Sequence, residues 1–337
     1  MSSSAVSPIS NPLATALPSL VVNAPDALLH GATLTTSDLP LDKGEDFVYC
    51  MTHRGTESQG DCDILAVFDG HGSSTGVLTR AFTYILKQSP LSTLLATENP
   101  MQSLITHFDG LKSEYGNLSG STASIARIFS DRIECTNVGD SHTMVFIDGV
   151  LRYVNGGHCS SNPTEIERIR GMYGSQFRFE SRESWRQEVL SPTELTMVPS
   201  RRAVFPNGPT LAPTQSLGHH DITGYAPDSM VIPYTDGQDV RVHVFSDGVA
   251  DVFSLDHPAD ILFLSRANGA EIGAEAERRW RQEWIYVAPQ RGIQPRSSTW
   301  QEKRDDILSK ISPIITSFPD GSCDDIGVAS WYRPGQP

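Results

Sequence analysis

ILAVFDGHGSS, running from Ile64 to Ser74, is the stretch whose reading decides the fold. Five apolar residues, Ile64 to Phe68, read as a strand buried on both faces, because a half-exposed strand alternates apolar and polar positions. The run ends on Asp69, Gly70 and His71. Asp-Gly is ordinary turn chemistry, and the chain repeats the pair at Asp109-Gly110, Asp148-Gly149, Asp236-Gly237, Asp247-Gly248 and Asp320-Gly321. Asp69 therefore needs support from the rest of the sequence before it reads as more than a turn.

Working outward, Phe47 to Met51 reads as a second strand, separated from Ile64–Phe68 by a polar loop. Val77, Leu78, Ala81, Phe82, Ile85 and Leu86 recur at helical spacing behind a cap at Ser74 or Thr75. Another helix is expected around Met101 to Ser113. Residues 121 to 154 read as a β meander with turns near Asp131, at Gly139-Asp140 and at Asp148-Gly149. NPTEIERIR, from Asn162 to Arg170, starts a helix: Asn162 caps, Pro163 takes the first position, and Glu165 completes a capping-box pattern. Val240, Val242 and Val244 share one face of a strand that ends on Asp247. Helices are expected near Pro258 to Arg266 and Ala270 to Tyr286, with Glu275/Arg279 and Glu277/Arg281 at i,i+4. CDDIGVASWY closes the chain as a strand that opens on Asp324-Asp325. There is no βαβ alternation and no Gly-rich phosphate loop. Antiparallel sheets covered by helices, an α+β layered architecture, follow.

The 337 residues suffice for one large core or two ordinary ones. A net charge of −14 argues against nucleic acid and anionic membrane as main partners. No apolar run reaches the length of a membrane span. The five cysteines are scattered, with no C-x-x-C pair, as expected of reduced thiols in the cytosol or nucleus. Residues 1–25 read as a disordered N-terminal arm and 26–337 as a single domain. An irregular insert is expected at about 174–235, and a helical insert at about 256–316.

Four places share one pattern of carboxylates at strand ends: Glu45-Asp46, Asp69, Asp247 and Asp324-Asp325. Converging on one rim, they would suit a hard cation such as Mg²⁺ or Mn²⁺. Scattered, they would be four solvated turns.

AVFDGHGSS, GSTASIARI, NVGDSH, FSDGVADVF and DDIGVASWY, in that order, resemble the successive motifs of the metal-dependent serine/threonine protein phosphatases of type 2C. NPTEIERIR resembles that family's helix, and LAPTQSLG a degraded form of the segment after it. The resemblance runs from about Gly44 to Tyr332. It implies a four-layer β-sandwich of two antiparallel sheets flanked by pairs of helices. It also implies a two-metal Mg²⁺ or Mn²⁺ centre that activates water against phosphoserine and phosphothreonine in proteins. Glu45, Asp69 and the Gly70 carbonyl would hold one ion; Asp69, Asp247 and Asp324 would hold the other. Asp46 matches the second acid of the first motif, and Asp140 with Asp251 a weaker third site. His71 matches a candidate proton donor, or else a histidine that orients the loop.

The pattern also fails in places. Leu41 stands where the family carries a phosphate-gripping arginine. Lys43, on the same face of an extended strand, either supplies a point charge to substrate or is a surface lysine. Asp-His is replaced by Gly157-His158, and the arginine of GDSR by His142. The SRxxGD segment reads Thr214 to His219. Two functions stay open: an active phosphatase acting on phosphoproteins as a monomer, or a pseudophosphatase that keeps the fold as a binding scaffold. Arg201-Arg202 and a Trp280/Trp284 stripe are either partner-docking elements or, respectively, a solvated turn and a core face.

Overall fold

The computed structural model describes residues 20–24, 27–34, 45–55, 60–72, 82, 85–112, 119–191, 194–206, 208–255, 257–280, 283–287, 314–317 and 324–336. Strands β1 (Leu20–Ala24), β2 (Ala27–Leu34), β8 (His142–Ile147), β9 (Val150–Val154), β14 (Val240–Phe245) and β17 (Ile326–Arg333) form one antiparallel sheet, ordered β1-β2-β17-β14-β8-β9. The second runs β13-β7-β6-β4-β3, from Asp228–Pro233 through Arg132–Val138, Ala123–Ile128 and Cys62–His71 to Asp46–His53; β5 (Gly120–Ser121) adds to the end of β4.

Strand alternation explains how these sheets stack. On β4, Leu65 and Val67 face the second sheet's partner. There they pack with Val145, Val240, Val242, Val244 and Ala329. Ile64, Ala66 and Phe68 point the other way, against Phe82, Leu104 and Phe108 of the overlying helices. The unbroken apolar run is thus a strand with helices on one face and a sheet on the other. The helix Pro100–Gly110 is capped by Asn99. On the opposite outer face, Met144, Phe146, Phe245, Ile326 and Val328 pack beneath the helices Pro258–Leu264 and Gly269–Trp280. The result is the expected α+β sandwich, with helices outside each of two sheets.

The structure departs from the sequence reading at several points. The meander is two hairpins in two sheets: β6 pairs with β7 and β8 with β9, while the Gly139-Asp140 turn carries the chain from one sheet to the other. Gly139 has φ 102°, and a Cβ there would stand 2.5 Å from Thr122, so glycine is required for both reasons. Part of the expected irregular insert is regular. Strands β10 (Arg178–Ser191) and β11 (Glu194–Val204) make a long hairpin, in a third sheet ordered β12-β11-β10-β15-β16. Of its other strands, β12 is Thr210–Leu211. The helix expected to run to Tyr286 stops at Trp280, and Glu283–Val287 is strand β15; β16 (Ile314–Ser317) lies in the expected helical insert. Residues 20–24, inside the expected arm, pair as β1 with β2. Leu41, Lys43, the Ser74/Thr75 cap and Arg281 lie outside the described residues.

Candidate metal centre

The site lies where the ends of the two sheets meet. Asp46 and Asp69 are directly opposite each other in the β3–β4 register. Like charges so placed repel. Asp69 does not end its strand, as the turn reading implied: pairing continues through Gly70 and His71 onto β5. Thr122 holds Asp69 from the side, its amide donating to the Asp69 carbonyl (2.8 Å) and its hydroxyl accepting from the Asp69 amide (3.1 Å).

From the other sheet come Asp247, opening the short helical turn Asp247–Ala250, and Asp324, just before β17. Close backbone packing brings these two segments together. A Cβ on Gly248 would fall 1.8 Å from the carbonyl oxygen of Asp325, so only glycine allows the approach. Ser246 locks it: its amide donates to Gly327 O (3.0 Å) and its hydroxyl accepts from Gly327 N (2.9 Å). Asp325 Oδ2 reaches across the sandwich to accept from the Glu45 amide (2.7 Å).

Two groups of carboxylates result, each with oxygens within 4.8 Å of one another: Asp69, Asp140 and Asp247, and Asp247, Asp251 and Asp324. Asp247 belongs to both. Asp140 and Asp251, paired by the sequence reading as one weak site, fall in different groups. The Glu45 carboxylate is in neither; Glu45 joins the site through its backbone, its carbonyl accepting from Gly70 N (3.1 Å). Burial, with repulsion from Asp325, Asp247 and Asp324, pushes the Asp46 carboxyl well above the usual range, although a Ser246 hydrogen bond opposes this. Burial and the charges of Asp247, Asp46 and Asp324 do the same to Asp69. Asp140 is raised likewise, by burial and then Asp247. Asp46 Oδ2 is buried without a hydrogen bond. Hard oxygen donors, crowded negative charge and an orphaned carboxylate oxygen fit a divalent cation.

His71 points into a different environment. Its Nε2 lies 2.6 Å from Ser216 Oγ, and its ring stacks on His219 at 5.2 Å. Burial, then the charges of His219 and Arg202, hold it well below the ordinary histidine range, hence neutral. Ser216 is delivered by a loop bridged to β5, with Leu217 N donating to Ser121 O (2.8 Å). That loop is fastened by Glu165. Its carboxylate does not fold back on the helix cap as a capping box would; it accepts from Arg168, Thr214 Oγ1 (2.8 Å) and Gln215 Nε2 (2.8 Å). Asn162 does cap, accepting from Thr164 N. His142 is no cationic substitute for the missing arginine, since burial pushes it down to about 4. His158 Nδ1 accepts from Gly139 N (3.0 Å) and so braces the turn that carries Asp140.

Thr122, Ser246 and the Glu165 network offer no metal-ligating or catalytic pattern, so the sequence does not mark them as site residues; their one signal was adjacency to motifs. Asp325, one of the strand-end carboxylates, serves here as a backbone clasp on Glu45. Cys50 packs against the sandwich core, and the four described cysteines are free thiols.

A sandwich with helices on both faces and a rim of converging aspartates defines an α+β layered protein with a candidate metal site. Residues 42–283 match the family model described as Protein phosphatase 2C, and the chain belongs to that family. It is 34% identical over 122 residues to Probable protein phosphatase 2C 71 of Arabidopsis thaliana, covering 33% of this chain and 26% of that protein. To Probable protein phosphatase 2C 76 of the same plant it is 29% identical over 136 residues, 39% of this chain and 32% of that one. The matched stretches thus span about a quarter to a third of these relatives. Similar solved structures include a C. elegans sex-determining protein (TM-score 0.48, 19% identity, 90% of this chain and 64% of that one). Another is the Mycobacterium tuberculosis serine/threonine phosphatase PstP/Ppp (TM-score 0.46, 15% identity, 91% and 99%).

Proposed function

We propose that this chain hydrolyses phosphoserine and phosphothreonine in proteins, with Mg²⁺ or Mn²⁺ as cofactor. The observation that carries the reading is the sharing of Asp247 between two carboxylate groups, Asp69–Asp140–Asp247 and Asp247–Asp251–Asp324. These residues would hold the ions, with Asp46 beside them. When bound, such ions acidify water at neutral pH and offset charge on the transferring phosphoryl group.

The chain's own residues supply placement. Thr122, Ser246 and Asp325 hold the backbones that carry the ligands, and the sandwich keeps the carboxylates rigid before any ion arrives. The Ser216 contact and the lowered pKa of His71 support the reading of this residue as one that orients the strand end after Asp69, rather than as the proton donor. Lys43 and the Gly70 carbonyl remain candidate contacts on the family resemblance alone. The substrate is a phosphoprotein.

The test is hydrolysis of a phosphothreonine peptide and a small aryl phosphate with Mn²⁺, Mg²⁺ or chelator. Turnover that appears with either ion and vanishes with chelator is expected. Full turnover in chelator refutes the reading. Tight metal binding without turnover would leave the scaffold function in its place.

A further inference from the structure

The helix Gly269–Trp280 ends on two side chains that reach beneath the turn bearing Asp247 and Asp251. The Trp280 indole N–H donates to the carbonyl of Gly248 (2.6 Å), the residue after Asp247. Arg279 Nη1 donates to the carbonyl of Val252 (2.8 Å), the residue after Asp251. The guanidinium makes three further hydrogen bonds. Nη1 and Nη2 grip the two oxygens of Asp260 (3.1 and 2.7 Å), and Nε donates to Glu275 (2.9 Å). The Phe253 ring lies 4.0 Å away. Asp260 in turn accepts from the Ser254 amide (2.8 Å). Trp280 is fully buried, and Arg279 and Asp260 nearly so.

We propose that Arg279 and Trp280 are positioning residues of the metal centre: they fix where the Asp247 and Asp251 carboxylates stand, and thereby set its affinity for divalent ions. The proposal rests on the reading of the two carboxylate groups as a metal site. Its physical basis is the weakness of the element they hold. Asp247–Ala250 is a single helical turn, too short to sustain itself, and the carboxylates at its start (Asp247) and just past its end (Asp251) are repelled by their acidic neighbours Asp69, Asp140 and Asp324. Ser246 and Gly327 hold only the start of the turn; without an anchor behind Gly248 and Val252, that repulsion moves the rest of it outward in the metal-free protein. An incoming ion must then spend binding energy drawing it back. Two buried hydrogen bonds, one behind each ligand, remove this penalty in advance. A buried arginine–carboxylate pair is by itself poor evidence of stabilisation; the distinctive point is that both donors land on carbonyls next to a ligand. Neither side chain touches a reacting atom, so neither is catalytic.

Trp280→Phe keeps the buried ring and removes one donor. Arg279→Lys keeps the charge facing Asp260 and loses the fork that reaches Val252. Trp331→Phe is the control: it loses an equivalent indole bond, to Asp63 Oδ2 (2.7 Å), at the β4 end remote from Asp69. Mn²⁺ affinity is measured by titration calorimetry, alongside melting in chelator. Loss of outer-shell partners typically weakens metal binding about 10–100-fold, and a drop of about tenfold or more is expected in Trp280→Phe and Arg279→Lys. Trp331→Phe should lower the chelator melting temperature and leave affinity within about twofold. If Trp280→Phe melts below the assay temperature, Arg279→Lys decides. Affinity unchanged in the clamp variants, or reduced equally in the control, overturns the proposal. Absence of Mn²⁺ binding by the wild-type chain overturns the metal-site reading itself, and the positioning claim falls with it.

Discussion

Asp69 concentrates the site in one side chain. It faces Asp46 across the strand pair, shares a carboxylate group with Asp140 and Asp247, and has both backbone hydrogen-bonding groups taken by Thr122. Asp69→Asn keeps the size and those backbone bonds, so the fold should survive. It removes charge from the cluster, so turnover should fall at least about a hundredfold, the loss expected of a charge-stabilising group worth several kcal/mol. Melting in chelator should hold or rise, because a repelling neighbour is gone. The matched control is Asp148→Asn in the β8–β9 turn, where φ is 54° and asparagine is tolerated. Its kcat should stay near wild type. Near-normal turnover by folded Asp69→Asn would remove the basis of the metal reading.

Between elements, two contacts make separate predictions. The Asp247 turn packs backbone to backbone on the start of β17, with no room at Gly248. Gly248→Ala should cost about 3 kcal/mol or more in urea unfolding, at the upper end of overpacking, and should lower metal affinity; an alanine variant with wild-type values would contradict this packing. His243 on β14 lies under the helix Pro258–Leu264. Its Nε2 donates to Leu264 O (2.9 Å), so its Nδ1 accepts from Ser330 Oγ (2.7 Å). Burial pushes its pKa down to about 3. The unfolded chain therefore binds a proton that the folded one refuses, and stability present above pH ~6.5 is lost as pH falls toward 3. The slope approaches about 1.4 kcal/mol per pH unit for this one proton. His243→Gln should flatten urea-derived stability against pH by that amount between pH 6 and 4. An unaltered slope would mean that His243 already titrates normally.

Across the whole molecule, the sandwich holds repelling carboxylates together at one end with its own packing energy. Supplying the ion should return that energy. Mn²⁺ at about a hundred times its dissociation constant should stabilise the chain by about 2.7 kcal/mol, seen as a melting temperature several degrees above that in chelator. Equal melting curves would mean that no ion binds. Among the described residues no helix is long and apolar enough to cross a membrane.

The layered architecture was legible in the sequence because burial on two faces leaves an apolar run such as Ile64–Phe68, and because Val240, Val242 and Val244 alternate at strand spacing toward the space between the sheets. The converging aspartates were legible because strand-end carboxylates beside glycines are chemically conspicuous. Tertiary structure alone decided the rest. The Gly139-Asp140 turn looks like any hairpin turn, and only the stacking of two sheets makes it a crossing. Residues 178–204 mix charged and apolar side chains without a clean period, so their hairpin is defined by backbone pairing, which composition does not encode. Trp284 to Val287 continues a helical pattern in which a short apolar run fits strand equally well. The grouping of Asp140 with Asp69, and of Asp251 with Asp324, depends on contacts between segments about 70 residues apart in sequence, and Asp247 joins Asp69 across about 180. Local pattern reports which side chains a segment offers; only packing at long range determines which of them meet.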